Sequence, residues 1–483
     1  MASPPTESEH PSPPENHNAR LFILFRIFFS CRFYYPVFAI LFVDFGLSIE
    51  QFAYLNLAWA ISIVVLEVPS GALADQFGRR TLLIAASVLM LAEMLILCLS
   101  PVVDLTSLVN DPTAHKKAVS FLFIIFLFNR IISGAAEAAA SGADEALAYD
   151  SLAAENREWK WSQITLQLMR WQAFSFILVS LIGAAVYDPK FINWLVSFFA
   201  SSTRFSQAQT LKFPIFLNLL MAMITLGISL RMKENHQPGA KKLPLSQAIN
   251  NSIQKTYSTG MQILRHPATF MLILIGLFFD SIIRLYYTVG SFYLHLLEYE
   301  PRHFGPISMA GSLTGIAAAW IAGRLIQRYR PSTNFHIVTM LIFLGLLSLA
   351  FPIPYISVIF LVPLWLAMRL LHFFLSNYLN QITASENRAT VLSFKSMNMN
   401  LAYGALVFLY GLQSKYLHSQ TDSSLFDHDP EALERNVFAQ AVSTWWIYFA
   451  LVVIGVLLFQ KIKYGQNLDE MMLSEEHKLK KSS

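Results

Sequence analysis

The chain has 483 residues, of which 55% are hydrophobic and 14% charged, with a formal net charge of +4. A soluble globular domain carries about 25% charged residues, so this composition excludes an ordinary water-soluble enzyme and points to lipid as the solvent. A transmembrane β-barrel is excluded as well, since the apolar residues fall in long runs and not in short alternating strands.

In chain order, residues 1–20 are rich in Pro, Ser, Glu and Asn and read as a disordered tail. Uncharged runs such as Val119 to Phe128, Ile215 to Leu230 and Phe270 to Phe279 follow. A hydrocarbon core about 30 Å thick needs roughly 20 helical residues to cross it, and only segments that satisfy their own backbone survive there. Twelve spans are predicted. Six fall near 21–46, 52–74, 81–100, 119–143, 163–187 and 211–231, and six near 268–296, 304–326, 333–351, 355–379, 391–412 and 441–461. The run after Arg20 is too long for a signal-peptide core and reads as a retained first helix. The expected fold is an all-α membrane protein of 12 transmembrane helices in two pseudo-symmetric six-helix bundles, residues 21–231 and 267–462. A linker, 232–266, contains Pro238, Gly239 and five Lys or Arg residues, and its part from Leu245 to Leu264 reads as a helix on the membrane surface. Residues 463–483 form a second polar tail.

Placing the N-terminus inside gives the inner loops Arg79, Arg80, Arg157, Lys160, Arg231, Lys233, Arg265, Arg324, Arg328, Arg330 and Arg388, among others, and leaves the outer loops far fewer basic residues. Both termini are therefore expected in the cytoplasm. The N-x-S/T match at Asn250 to Ser252 then lies inside, and outer loops without such a site fit a bacterial plasma membrane. Cys31 and Cys98 sit in apolar runs and read as ordinary buried thiols. No metal, phosphate-loop or nucleophile–base pattern is visible, so neither a cofactor nor an enzymatic activity is expected, and no nucleic-acid partner.

An internal repeat supports the division into halves. Arg32-Phe-Tyr34-Tyr35 recurs as Arg284-Leu-Tyr286-Tyr287, and a glycine follows each arginine after 39 residues, at Gly71 and Gly323 (71 − 32; 323 − 284). Duplicated bundles of this kind hold their substrate near the midplane, between the halves.

Gly71-Ala-Leu-Ala-Asp75-Gln-Phe-Gly78-Arg79-Arg80 resembles the signature loop between helices two and three of the major facilitator superfamily. The resemblance extends to Arg130-Ile-Ile-Ser-Gly134 in the fourth span, to the tract from Ser141 through Asp144, Glu145 and Tyr149 to Asp150, and to Asn387-Arg388-Ala-Thr390-Val-Leu-Ser393. It implies a monomeric secondary transporter that works by alternating access on a small-molecule substrate, with Gly71, Asp75, Gly78, Arg79 and Arg80 as the gating element. It also implies that spans one, four, seven and ten line the cavity, and it links Arg130 to proton coupling. Two departures stand out. The second-half loop has Gln327 and Arg330 in place of aspartate and glycine, and Leu181-Ile-Gly183-Ala-Ala lacks the Gly-Pro pattern of many drug–proton antiporters.

Ionisable residues at membrane depth are costly and are functional candidates by default. Arg32, Arg130, Arg284 and Arg369 fall near the middle of spans one, four, seven and ten. A guanidinium offers a two-pronged fork to carboxylate or phosphate, so Arg32, Arg284 and Arg369, with Tyr34, Tyr35, Tyr286 and Tyr287, are the expected binding residues for an anionic substrate. The competing reading neutralises these arginines internally: Asp280 and Arg284 are four apart, Arg130 and Glu137 seven apart, each pair on one helical face. Coupling to a proton needs a carboxylate whose environment changes as the cavity opens. Arg130, Glu137 and Asp280 are the expected coupling residues, with Asp44 near the outer mouth and His372 as a packing residue. Two alternatives stay open: an exporter of lipophilic compounds with the same fold, and a receptor or scaffold without flux.

Overall fold

The computed structural model describes residues 17–102, 111–199, 203–234, 244–383, 385–422, 426 and 430–482. Among these residues every regular element is helical. Of the tail expected at 1–20, residues 1–16 lie outside the described residues, and the first helix begins at His17.

Helix 1 is not the continuous span that its hydropathy predicts. It runs His17–Ser30, loses regular helix, passes through a 3-10 turn at Tyr35–Val37, and resumes at Phe38–Asp44. Pro36 is the cause: it has no N–H to donate, and in an unbroken helix its ring would strike the carbonyl four residues earlier, that of Arg32. The break is internally satisfied. Phe33 N–H donates to Asn218 Oδ1 at 2.7 Å, and Tyr35 N–H to the Arg32 carbonyl at 3.1 Å. Irregular backbone at membrane depth requires such internal partners.

The first bundle continues with helix 2 (Ile49–Phe77), helix 3 (Arg79–Leu99), helix 4 (Pro112–Ala140), helix 5 (Trp161–Tyr187) and helix 6 (Phe213–Arg231). The second holds helix 7 (Pro267–Leu296), helix 8 (Pro301–Arg328), helix 9 (Pro331–Leu349), helix 10 (Val362–Ile382), helix 11 (Ser385–Gln420) and helix 12 (Trp445–Tyr464). Local chemistry fixes many of the starts. A capping box of Ser48 and Gln51 opens helix 2, and proline at the first or second helical position opens helices 4, 7, 8 and 9.

Among the described residues, 11 segments are long and apolar enough to cross a membrane. Helix 11 is the twelfth element. It misses that standard because its stretch from Ser396 to Ser414, although uncharged, carries Asn398, Asn400 and Gln413, yet its 36 residues exceed the roughly 20 a bilayer requires. Odd-numbered helices start and even-numbered helices end on one face, which carries Arg79, Arg80, Arg157, Lys160, Arg265 and Arg330. This is the basic face; the other is the far face.

The bundles meet where helix 2 lies along helix 11 and helix 5 along helix 8. On the far half these contacts are close. A Cβ on Gly305 of helix 8 would fall 2.7 Å from the Ser180 carbonyl of helix 5, and one on Gly411 of helix 11 would fall 2.9 Å from the Tyr54 ring of helix 2. The Ser291 hydroxyl accepts the Ala39 N–H at 2.8 Å, and Lys190 and Glu300 pair across the far face. On the basic half, Gly71 and Gly323 have no atom within 4 Å of the position a Cβ would take. Neither of these glycines is a point of close approach between the bundles.

Two further helices lie on that face. Leu245–Arg265 packs on helices 2, 7 and 11. Leu468–Ser482, in the stretch read as a tail, packs on helices 7, 9 and 10 and buries Met471 and Met472. Its Glu475 accepts the Ala268 N–H at 2.8 Å and the Thr269 hydroxyl at 3.0 Å, satisfying the start of helix 7 where unpaired N–H groups and the helix dipole favour an anion.

Candidate functional site

Helices 1, 2, 4, 5, 7, 8, 10 and 11 enclose a cavity of about 370 Å³, within the range of small-ligand sites. A second chamber of about 820 Å³ adjoins it between helices 1, 5, 8 and 10, sharing Tyr35, Phe176, Ser312 and Arg369.

The four membrane-depth arginines all border these chambers, but in two different conditions. Arg32 is ion-paired. It sits in the break of helix 1, 3% exposed, with Glu93 of helix 3 at 3.5 Å and Glu137 of helix 4 at 4.0 Å. Arg284 is paired as well, to Asp280 at 3.5 Å, and it donates to Asn400 Oδ1 at 2.9 Å while lying over the Tyr403 ring. Arg130 is different. Its guanidinium lies 5.3 Å from the Phe38 ring centroid and 5.8 Å from that of Trp59, its Nε is buried without a hydrogen-bond partner, and among the described residues it has no ion pair. Arg369 lines both chambers, is exposed to them, and likewise has no ion pair among the described residues.

The sequence-level pairings are thus partly exchanged. Glu137 faces Arg32, not Arg130, because Arg130 lies almost two turns back along helix 4 and turns toward Phe38 and Trp59. Glu93 of helix 3 is fully buried, accepts from the Tyr34 hydroxyl at 3.5 Å and pairs with Arg32. Tyr34 is therefore packed in the bundle, 1% exposed and outside the chambers, whereas Tyr35 and Tyr287 present open faces to the cavity and Tyr286 forms part of its wall. His372, read as packing, holds Asp280 with its Nε2 2.9 Å from Oδ1 and is itself half exposed. Asp44 lies at the far end, bonded to Tyr187 and to Gln207. The signal that would have found Glu93 is its charge on an otherwise apolar helix. Spacing alone does not show which neighbouring helix it faces.

The loop from Gly71 to Arg80 is tied to its own bundle. Gly78 has φ +95°, and a Cβ there would meet Glu234 at 2.7 Å. Glu234, just after helix 6, accepts the Arg79 and Arg80 N–H groups at 3.2 and 2.8 Å. Arg79 pairs with Asp150 and donates to the Ala146 carbonyl, and Arg80 donates to the Leu230 carbonyl. Nothing is described of the side chains of Asp75, Arg388 or Thr390. The second bundle repeats the arrangement with a different residue. Asp469, just after helix 12, accepts the Ser332 N–H at 2.9 Å at the start of helix 9. In each half, a carboxylate that follows the last helix caps the loop after the second.

Two six-helix bundles around a central cavity are the architecture of a polytopic transporter. The model of the major facilitator superfamily matches residues 21–407, and the chain belongs to that superfamily. No curated protein sequence matches this one. Among solved structures, a bacterial homolog to the human lysosomal transporter Spinster, inward-facing and unoccupied, matches at 12% identity with a TM-score of 0.66, covering 96% of this chain and 99% of that one. The nucleoside transporter NupG matches at 12% identity and TM-score 0.61, over 92% of this chain and 99% of that one. A D-xylose–proton symporter matches at 13% identity and TM-score 0.53, over 90% and 95%. These likenesses establish the fold, and the superfamily makes the protein a transporter and not an enzyme.

Proposed function

We propose that this chain is a secondary transporter of a small organic anion, coupled to protons. The observation that carries the reading is Arg130: a guanidinium buried beside the cavity against the Phe38 and Trp59 rings, with no ion pair among the described residues. A buried charge without a partner is costly, and an anionic ligand supplies the missing counter-charge. Arg369 stands on the opposite bundle and lines the same cavity. A carboxylate or phosphate held between helix 4 and helix 10 draws the two bundles together, so substrate binding itself drives closure of the basic face. Arg32 and Arg284, each already paired, tune this field and return to their own acids when the site empties.

Coupling falls to those acids. Glu137, whose side chain is 36% exposed, shares Arg32 with the fully buried Glu93. Arg284 and His372 share Asp280. A proton taken up at Glu137 or Asp280 loosens its arginine and adds to the positive field around the anion. The excess of Lys and Arg on the basic face makes it the cytoplasmic one, in a plasma membrane of bacterial type, with the chain acting as a monomer.

The test is thermal unfolding of the purified chain in detergent against panels of organic anions and lipophilic cations, with Arg130→Gln/Arg369→Gln alongside. A ligand that binds only the folded state raises the midpoint. Anions that stabilise the wild type and not the double variant support the reading and name the substrate class. The aromatic lining by Phe38, Trp59, Trp365 and Tyr403 favours a second reading, export of lipophilic compounds. That reading prevails if cations alone stabilise, or if anions act equally on both proteins.

A further inference from the structure

Between helices 5 and 6, on the far face, the chain forms a short helix, Pro189–Ser197, that starts directly after the end of helix 5 at Tyr187. We infer that this helix lies flat at the membrane interface with its apolar face in the far leaflet, and so anchors the far end of helix 5 to lipid.

Local chemistry sets the helix off from helix 5. Asp188 has extended backbone and accepts the Lys190 N–H at 2.7 Å, and Pro189 takes the first helical position. Asn193 ties the helix to the chain that follows: its Nδ2 donates to the Phe205 carbonyl at 2.9 Å, and its Oδ1 accepts the Phe205 N–H at 2.7 Å. Ile192 is buried.

The remaining side chains divide into two arcs at 3.6 residues per turn. Phe191, Trp194, Leu195 and Phe198 share one face, and Lys190, Asn193 and Ser197 lie on the other. The apolar face is not turned into the protein. Trp194 is 57% exposed and Phe198 66%, with Leu195 exposed beside them. The Trp194 ring stands between those of Phe191 and Phe198, with centroids 5.7 and 5.1 Å away. Exposed apolar clusters of this kind mark a surface that meets something other than water.

The position of the helix names lipid as the occupant. Leu178 and Ile182 are exposed on the side of helix 5 opposite Phe176 and Ser180, which line the cavity. They belong to the lipid-facing surface of a spanning helix, and the new helix continues that surface from the point where the span ends. Its level is therefore that of the interface, where tryptophan settles and where a helix with one apolar and one polar face lies in plane. A second copy of the chain is a poor fit, since a stable interface needs roughly 20–30 residues a side. The polar arc carries Lys190, which pairs with Glu300 at the start of helix 8, so the anchor holds one half of the far-face clasp at headgroup depth.

The experiment uses the full chain in phosphatidylcholine proteoliposomes. Tryptophan fluorescence is recorded for the wild type and for Trp194→Phe, and the difference between them is the Trp194 signal. Two quenchers are compared: phosphatidylcholine brominated on its acyl chains, and iodide present on both sides of the membrane. The difference signal should be lost in brominated lipid and kept in iodide. Phe198→Trp, which adds an indole to the same face, should add a signal that behaves in the same way and does not depend on the first variant. Loss of either signal to iodide overturns the proposal, because the face then meets water. Survival against both quenchers also overturns it, because protein then covers the face. Neither outcome bears on the Arg130 site, which the substrate panel tests separately.

Discussion

Pro36 and Thr288 occupy the same place in the internal repeat, each four residues after its arginine (36 − 32; 288 − 284), and only Pro36 breaks its helix. Helix 7 runs on through Thr288, whose hydroxyl lies 2.9 Å from the Arg284 carbonyl and 2.7 Å from the Tyr403 hydroxyl. The two halves are alike in sequence here and unlike in backbone. Discontinuous helices in transporters collect at the substrate site, so the first half carries the adaptable element of the pair.

Replacing Pro36 by Thr tests that assignment. The change restores a donor and removes a ring clash worth up to about 3 kcal/mol in a helix interior, so the thermal midpoint should hold or rise. Transport should slow by about tenfold or more, equivalent to a barrier raised by about 1.4 kcal/mol. Unchanged flux in proteoliposomes would show that the break is only a packing detail.

Gly183 is a close-approach glycine. A Cβ there would fall 1.8 Å from the Phe33 carbonyl oxygen, which belongs to backbone that cannot swing aside. Gly183→Ala should cost about 1–3 kcal/mol or more through overpacking. Gly227, also helical but with nothing within 4 Å, should instead gain up to about 1 kcal/mol as alanine. Unfolding midpoints of the two variants should therefore move in opposite directions.

Glu93 and Glu137 share Arg32 unequally. Glu93→Gln leaves a 3%-exposed guanidinium without its nearer partner and should destabilise by about 3–5 kcal/mol. Glu137→Gln should fold close to wild type, since its side chain is partly open and 4.0 Å from Arg32. Its defect should appear in function: proton-driven accumulation lost, substrate counterflow retained. If counterflow and driven transport fall together, Glu137 binds substrate and does not couple.

The far-side clasp of Lys190 and Glu300 sets a pH dependence. The hydrogen bond from Lys190 holds the Glu300 carboxyl below its usual 4.5, and the same bond holds the Lys190 ammonium above its usual 10.5. The glutamate's contribution is present above 4.5 and lost as pH falls through its lowered value; the lysine's is present below 10.5 and lost as pH rises through its raised value. Spin-label distances across the far face should thus stay flat from mildly acid to alkaline pH and lengthen only below the ordinary glutamate range. Glu300→Gln should abolish the acid limb. A transition near neutral pH would mean that another group controls this closure.

The bundle architecture was readable because bilayer crossing demands long apolar runs, and eleven of them with a twelfth, less apolar helix and a repeat in register leave few alternatives. The cavity arginines were readable for the complementary reason, that charge inside such a run is conspicuous. Their partners were not. Arg130 and Glu137 share a helical face at seven residues' spacing, but contact between helices overrides it: the aromatic rings of Phe38 and Trp59 take Arg130, and the helix 1 break carries Arg32 to Glu137. The caps Glu234 and Asp469 were hidden because they lie in polar stretches that composition reads as linker and tail. Only the fold shows that both reach the loops of their own bundles.

Glu475 gives the C-terminal helix a mechanical meaning. It grips the first turn of helix 7 from the other end of the same half, about 200 residues away in the chain, while Asp469 grips the start of helix 9. The second bundle is thus sewn shut along its basic rim, and any force applied at Arg369 or Arg284 moves it as one block. The first bundle is tied at the matching place, where Asn18 exchanges hydrogen bonds with the Lys233 backbone after helix 6 at 2.8 and 3.0 Å, so the break at Arg32 lies beyond an anchored first turn of helix 1.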